Sequence, residues 1–133
     1  PGTGEVTAVG TDFVRPNGLA LSADGSRLFV ADTHRRHVRV LGVDGGRLTG
    51  GEVFADVDGG PDGLRLDTAG RVWVAAGEAI HVFDPDGTLV GRVQVPEEVS
   101  NLAFGGRKGN RLFVTATTSV YSILLSVNGV PTL

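Results

Sequence analysis

The apolar and polar positions of this chain fall into a unit that occurs three times. In the first copy, Pro16-Asn17-Gly18 opens a turn and Leu19-Ala20-Leu21 makes a short apolar strand. Asp24-Gly25 then turns the chain into a second apolar strand, Leu28 to Ala31. The second copy reads Pro61-Asp62-Gly63-Leu64-Arg65-Leu66, a turn at Asp67 to Gly70, and Val72-Trp73-Val74-Ala75. The third reads Ser100-Asn101-Leu102-Ala103-Phe104, a turn at Gly105 to Asn110, and Leu112-Phe113-Val114-Thr115. The polar residues that open the copies, Asn17, Asp62 and Asn101, stand 45 and 39 residues apart, and the second strands begin 44 and 40 residues apart. Two independent landmarks thus agree on a period near 40 to 45 residues. Several short strands at that period are the mark of propeller blades.

The pattern therefore predicts an all-β chain, part of a single β-propeller domain over residues 1–133, with about three blades near 17–57, 62–95 and 101–126. The first blade is expected to have strands near 18–21, 27–32, 37–43 and 52–57, with hairpin signals at Asp24-Gly25 and Asp44-Gly45. The second is expected near 63–66, 72–75, 80–84 and 89–95, with Asp86-Gly87 turning its last pair. The third has three strands, near 102–104, 111–115 and 120–126. Residues 5–13 alternate loosely and are expected to form an outer strand of a preceding blade. Three-odd blades cannot close a ring, and open sheet edges are hazardous. A missing N-terminal half or a second copy is therefore expected to complete the propeller. No stretch of ten or more residues carries a helical period.

Composition narrows the partners more than the chemistry. The net charge of −3 gives no general attraction to nucleic acid or anionic lipid, and no apolar run approaches the length of about 20 residues that a spanning helix requires. Neither a nucleic-acid nor a membrane partner is expected. There is no Cys, which excludes disulfides and thiolate metal sites and fits a reducing compartment, so the cytoplasm is the expected location.

Blade topology decides which turns matter. The entry to each innermost strand and the loop between strands two and three lie on one face of a propeller. Asn17, Asp62 and Asn101 should therefore ring one mouth of the central channel, with loops near 32–36, 76–79 and 116–119 as its rim. Asp24, Asp44, Asp67 and Asp86 fall on the far face, where an Asp before Gly or in a tight turn reads as turn chemistry alone. Pro-Asn-Gly and Pro-Asp-Gly are also turn sequences. Two oxygen-bearing side chains at equivalent positions nevertheless point at one axis, and hard cations such as Ca²⁺ are bound by carboxylate and amide oxygens. Two ligands are too few for a site, so at least one more must come from elsewhere. His34, Arg35, Arg36, His37 and Arg39 make a locally basic stretch, read either as a solvated loop or as an attraction for an anionic substrate. His34 and His37 would face opposite ways on a strand, which speaks against a Zn site. His81 reads as a packing or surface residue, and Phe29, Trp73 and Phe113, at one repeat position, read as core between blades.

The ordered motifs resemble the C-terminal half of the gluconolactonase family, six-bladed propellers that include regucalcin. They are Arg15-Pro-Asn-Gly-Leu-Ala-Leu-Ser, Leu28-Phe-Val-Ala-Asp-Thr, Gly60-Pro-Asp-Gly-Leu-Arg-Leu-Asp, Gly70-Arg-Val-Trp-Val-Ala, Asn101-Leu-Ala-Phe-Gly-Gly and Leu112-Phe-Val-Thr-Ala-Thr-Thr-Ser-Val-Tyr. The resemblance implies six blades in all and a divalent metal on the axis, held by an Asn, an Asp and an N-terminal Glu. Asn17 and Asp62 match the first two; the Glu, and the family's early-blade substrate-binding Arg and Asn, have no counterpart here. The activity that the resemblance implies is that of a metal-dependent hydrolase acting on a small cyclic ester, a sugar lactone above all. The cation, Ca²⁺ first with Zn²⁺, Mn²⁺ and Mg²⁺ as alternatives, would polarise the carbonyl. Asp62 would be both ligand and general base, with Asn101, His34 and Arg35 as candidate substrate-binding rim residues. The alternative is a non-catalytic propeller that binds a ligand or a protein at its mouth.

Overall fold

The computed structural model describes residue 2 and residues 4–131. Eleven strands make three sheets. The first contains β1 (Pro16–Leu21), β2 (Arg27–Asp32), β3 (His37–Asp44) and β4 (Arg47–Asp56). The second contains β5 (Pro61–Leu66), β6 (Val72–Ala76), β7 (Ala79–Phe83) and β8 (Leu89–Gln94). The third contains β9 (Val99–Gly105), β10 (Arg111–Ala116) and β11 (Val120–Leu124). Each strand pairs antiparallel with its neighbour in sequence, so every sheet is an up-and-down meander. These are three blades of a β-propeller, two with four strands and one with three. Among the described residues no helix is long and apolar enough to cross a membrane.

Two expectations fail for identifiable reasons. Residues 5–13 form no strand: no strand among the described residues runs alongside them, and a strand needs a ladder partner. The segment is held by side chains instead. Arg35 reaches the Asp12 carboxylate at 3.2 Å, and Arg39 lies 4.8 Å over the Phe13 ring. The fourth strand of the first blade begins at Arg47, five residues earlier than expected. Gly45 and Gly46 both take positive φ, 54° and 85°, which permits a two-residue hairpin that closes Asp44 onto Arg47. A register shift opposite Val40 and Leu41 then breaks the alternation that would have revealed the strand.

The core lies between blades. Phe29, Val38, Leu64, Val72, Val74 and Phe83 fill the first junction, with the Phe54 ring edge-on to Phe29 at 5.0 Å. Trp73, Ile80, Leu102, Leu112 and Val114 fill the second. The middle blade is therefore covered on both sides, and every residue of β6 and β7 is buried. The outer blades are not. Leu19 stays 59% exposed on one side of the assembly and Phe113 40% on the other. The expectation that Phe113 is core like Phe29 and Trp73 is thus corrected: among the described residues no further blade covers it.

Innermost strands β1, β5 and β9 pack side by side. Two glycines allow the approach. A Cβ on Gly18 would lie 2.2 Å from the Asp62 carbonyl oxygen, and one on Gly63 would lie 2.2 Å from Asn101 Oδ1. No side chain fits at either position, so the Gly after Asn17 and after Asp62 is a packing requirement as well as a turn residue.

Candidate functional site

Asn17, Asp62 and Asn101 stand near the starts of these three inner strands. Side chains bind the first two blades together there. Thr33, just beyond β2, donates from Oγ1 to the Pro61 carbonyl at 2.7 Å and accepts from Asn17 Nδ2 at 3.2 Å. Its backbone N–H donates to the Arg15 carbonyl at 3.0 Å. Next to it Asp32 is fully buried and accepts from the backbone N–H groups of Val14 at 2.9 Å, Arg15 at 3.1 Å and Arg35 at 3.3 Å. Burial pushes the Asp32 pKa up, but those three N–H groups and the Arg35 guanidinium outweigh it, and the net shift is downward. Asp32 and Thr33 together fix the residues on which Asn17 is carried.

Asp62 is half-buried, and its surroundings conflict. Burial raises its pKa. The Asn17 amide and the Arg15 guanidinium pull it down, Glu98 pushes it up, and the net shift is upward. Asn17 is thus near enough to act on the Asp62 carboxylate. Asn101 sits one blade further round, where its Oδ1 accepts from the Leu102 N–H at 2.9 Å and lies against Gly63. Arg15, Asp32, Thr33 and Glu98 surround the candidate site, and sequence reasoning gave none of them a role there. Arg15 and Asp32-Thr33 belong to the quoted motifs Arg15-Pro-Asn-Gly and Leu28-Phe-Val-Ala-Asp-Thr, whereas Glu98 lies in a connection without any local signature.

The rim residues separate. His34 is exposed on the turn between β2 and β3. Arg35 is not a free cation, because it pairs with Asp12 and stands 3.9 Å from Asp32. Among the described residues no three His, Cys, Asp or Glu side chains are placed to share a metal ion. Asp62 and Asn17 offer one carboxylate and one amide, oxygen-bearing groups that suit a hard cation and fit as two members of such a ligand set.

The family description SMP-30/Gluconolactonase/LRE-like region matches residues 1–118. A pentonolactonase of Haloferax volcanii is 37% identical over 120 residues, which cover 84% of this chain and 41% of that protein. The gluconolactonase of Zymomonas mobilis is 29% identical over 134 residues, 90% of this chain and 37% of its own. The chain therefore spans about two fifths of the length of these relatives. Among solved structures, a regucalcin from Agrobacterium tumefaciens, described as a calcium-binding protein, superposes with a TM-score of 0.86 at 29% identity. The match covers 95% of this chain and 51% of that one. A gluconolactonase from Xanthomonas campestris superposes with a TM-score of 0.81 at 35% identity, covering 86% and 39%. With its blades, its inner-strand motifs and most of its length matched in this way, the chain belongs to the SMP-30/gluconolactonase/LRE-like family.

Proposed function

We propose that the complete protein carrying these blades is a hydrolase that opens a small cyclic ester, a sugar lactone, with a divalent cation at the inner-strand mouth. The observation that carries this reading is the placement of Asn17 beside Asp62 at equivalent positions of adjacent blades. The names of the relatives, a pentonolactonase and gluconolactonases, support the substrate class. The calcium binding named for the Agrobacterium neighbour supports Ca²⁺ as the ion, with Zn²⁺, Mn²⁺ and Mg²⁺ as alternatives.

Asn17 and Asp62 would hold the cation. When bound it supplies Lewis acidity for the ester carbonyl and makes water a better nucleophile. The chain's own residues do the rest. Asp62 takes a proton from the attacking water at a carboxylate oxygen and returns it to the leaving alkoxide. Its raised pKa brings it nearer to the range where it can both hold and release that proton. Thr33 fixes the Asn17 amide by its hydrogen bond, and the Arg15 guanidinium offsets part of the charge repulsion from Glu98.

The test compares Asp62→Asn with Asp86→Asn in the complete protein, by rate of gluconolactone hydrolysis. Loss of a general base and ligand lowers the rate about 100-fold or more, while Asp86, an exposed turn residue bonded to its neighbour Thr88, changes it little. Chelation should abolish the activity, added Ca²⁺, Mn²⁺ or Zn²⁺ should restore it, and calorimetric Ca²⁺ binding should vanish in Asp62→Asn alone. Equal rates for both variants, with no response to chelator, would leave Asp62 a turn residue and the protein a binding propeller.

A further inference from the structure

Away from the inner strands, a cleft of about 440 Å³ opens between the first two blades. Arg35, Arg36, Asp56, Asp58, His81 and Arg92 line it. We propose that this cleft binds a small polyhydroxylated acid, a sugar carrying one carboxylate or phosphate group, with Arg36 and Arg92 on the oxyanion and Asp56, Asp58 and His81 on the hydroxyls. The cleft shares neither Asn17 nor Asp62, so this site does not depend on lactone hydrolysis at the inner strands.

Three features of the lining lead there. Arg36 is the one non-glycine residue among those described with positive φ, 55°, a conformation that L-residues rarely adopt and that concentrates at functional positions. Its carbonyl accepts from the Val57 N–H at 2.8 Å, which holds the turn in place against the crossover between the blades. Alone of the three arginines it has no carboxylate partner among the described residues. Arg92 meets Asp58 at 3.6 Å with both side chains well exposed, and such a pair yields easily to a ligand. Guanidinium groups suit carboxylate and phosphate because their planar donors pair with two oxygens at once.

His81 supplies the third feature. It is only 4% exposed, yet its Nδ1 has no hydrogen-bond partner. A buried polar atom of this kind calls for an explanation. Burial, and then the nearby Arg92, lowers its pKa, so at neutral pH the ring is uncharged and carries one nitrogen acceptor. An acceptor imidazole in the wall and two exposed carboxylates beside the unpaired Arg36 and the loosely paired Arg92 suit hydroxyl donors attached to an anion better than a bare inorganic ion.

The test is calorimetric titration of the complete protein with gluconate, glucose 6-phosphate and glucose at constant ionic strength. Binding that persists in Asp62→Asn places the ligand in the cleft and not at the inner strands; gluconate then identifies a carboxylate site and glucose 6-phosphate a phosphate site, and either outcome, with glucose silent, supports the proposal. Arg36→Ala should weaken binding about tenfold, the effect of one charge-assisted hydrogen bond. Arg36→Gly separates recognition from folding, since Gly accepts the left-handed conformation without strain. It should lose the same affinity while its melting temperature holds or rises. Failure of both acids to bind, or equal binding by wild type, Arg36→Gly and Arg92→Gln, overturns the proposal.

Discussion

Asp67 provides the sharpest test of how these blades are held. Its carboxylate is fully buried in the turn between β5 and β6. Oδ1 accepts from the N–H groups of Ala69 at 2.9 Å and Arg71 at 3.0 Å, and Oδ2 accepts from Trp73 Nε1 at 3.0 Å and pairs with Arg71 Nε at 3.1 Å. The chain's C-terminal end closes over this turn. Asp67 bridges Gly129, Thr68 donates to the Asn128 carbonyl at 2.8 Å, and Val130 donates to the Leu66 carbonyl at 3.0 Å. Asp67→Ala strips the partner from a buried indole N–H and from a guanidinium. The buried indole orphan is worth about 1–3 kcal/mol, and the pair with Arg71, whose side chain is 31% exposed, adds less than the roughly 3–5 kcal/mol of a fully buried one. Relief of the carboxylate's own desolvation offsets part of this, so the expected loss is about 3 kcal/mol. With a urea slope of about 2 kcal/mol/M, the unfolding midpoint should fall by about 1.5 M. The assay is urea unfolding at 25 °C and pH 7, at one fixed protein concentration, read from the fluorescence of Trp73, the one Trp of the chain. Asp67→Asn keeps the shape and a carbonyl acceptor and should fall roughly half as far, since charge-assisted bonds are about twice as strong as neutral ones. Asp24→Ala, at the equivalent turn but exposed, should move the midpoint far less. An Asp67→Ala midpoint no lower than that of Asp24→Ala would refute the reasoning.

Two further outcomes are expected. Glu97 is held down to about 2 from an ordinary 4.5 by hydrogen bonds from Ser119, Tyr121 and Thr118. Its contribution to stability is therefore present above pH 4.5 and lost as pH falls towards 2, so the melting-temperature gap between wild type and Glu97→Gln should be widest above pH 4.5 and close towards pH 2. A gap that does not change with pH would count against the network. Leu19, Leu21, Phe113, Val120 and Leu124 leave both flanking blade faces apolar and exposed, so this chain should not persist as a lone monomer. A sharp, concentration-independent melting transition from a monodisperse 13.8 kDa species would contradict this.

Much of the architecture was legible because propeller blades punctuate themselves. Pro-Asn-Gly, Pro-Asp-Gly and Asp-Gly mark turns by local backbone chemistry, and the placement of Asn17 and Asp62 at neighbouring inner strands follows from the repeat alone. What could not be read is what depends on the neighbour. Asp24 and Asp67 lie in the same turn of successive blades, yet Asp24 is exposed and Asp67 buried: the first turn is one residue longer, so Ser22 and not Asp24 holds the register position of Asp67, which bonds an indole and has Gly129 across it. Phe29 and Phe113 share a repeat position, but only Phe29 has a blade on its far side. Glu98 acts on Asp62 from 36 positions further along the chain, and no local pattern marks it.

The candidate site is a property of blade spacing more than of any loop. Asn17 and Asp62 belong to different sheets, so their separation is set by how closely β1 and β5 pack. That approach depends on Gly18 lying against the Asp62 carbonyl and on Thr33 joining the Pro61 carbonyl to the Asn17 amide. The same approach buries the Asp62 carboxylate and raises its pKa, with Arg15 and the Asn17 amide as the opposing influences. Geometry and electrostatics at Asp62 therefore have one cause. A substitution that spreads the first two blades should lower the Asp62 pKa towards its ordinary value while it separates the two side chains. Groups placed on paired strands are held more rigidly than groups on loops, and here the strands of one blade position the donor of the next.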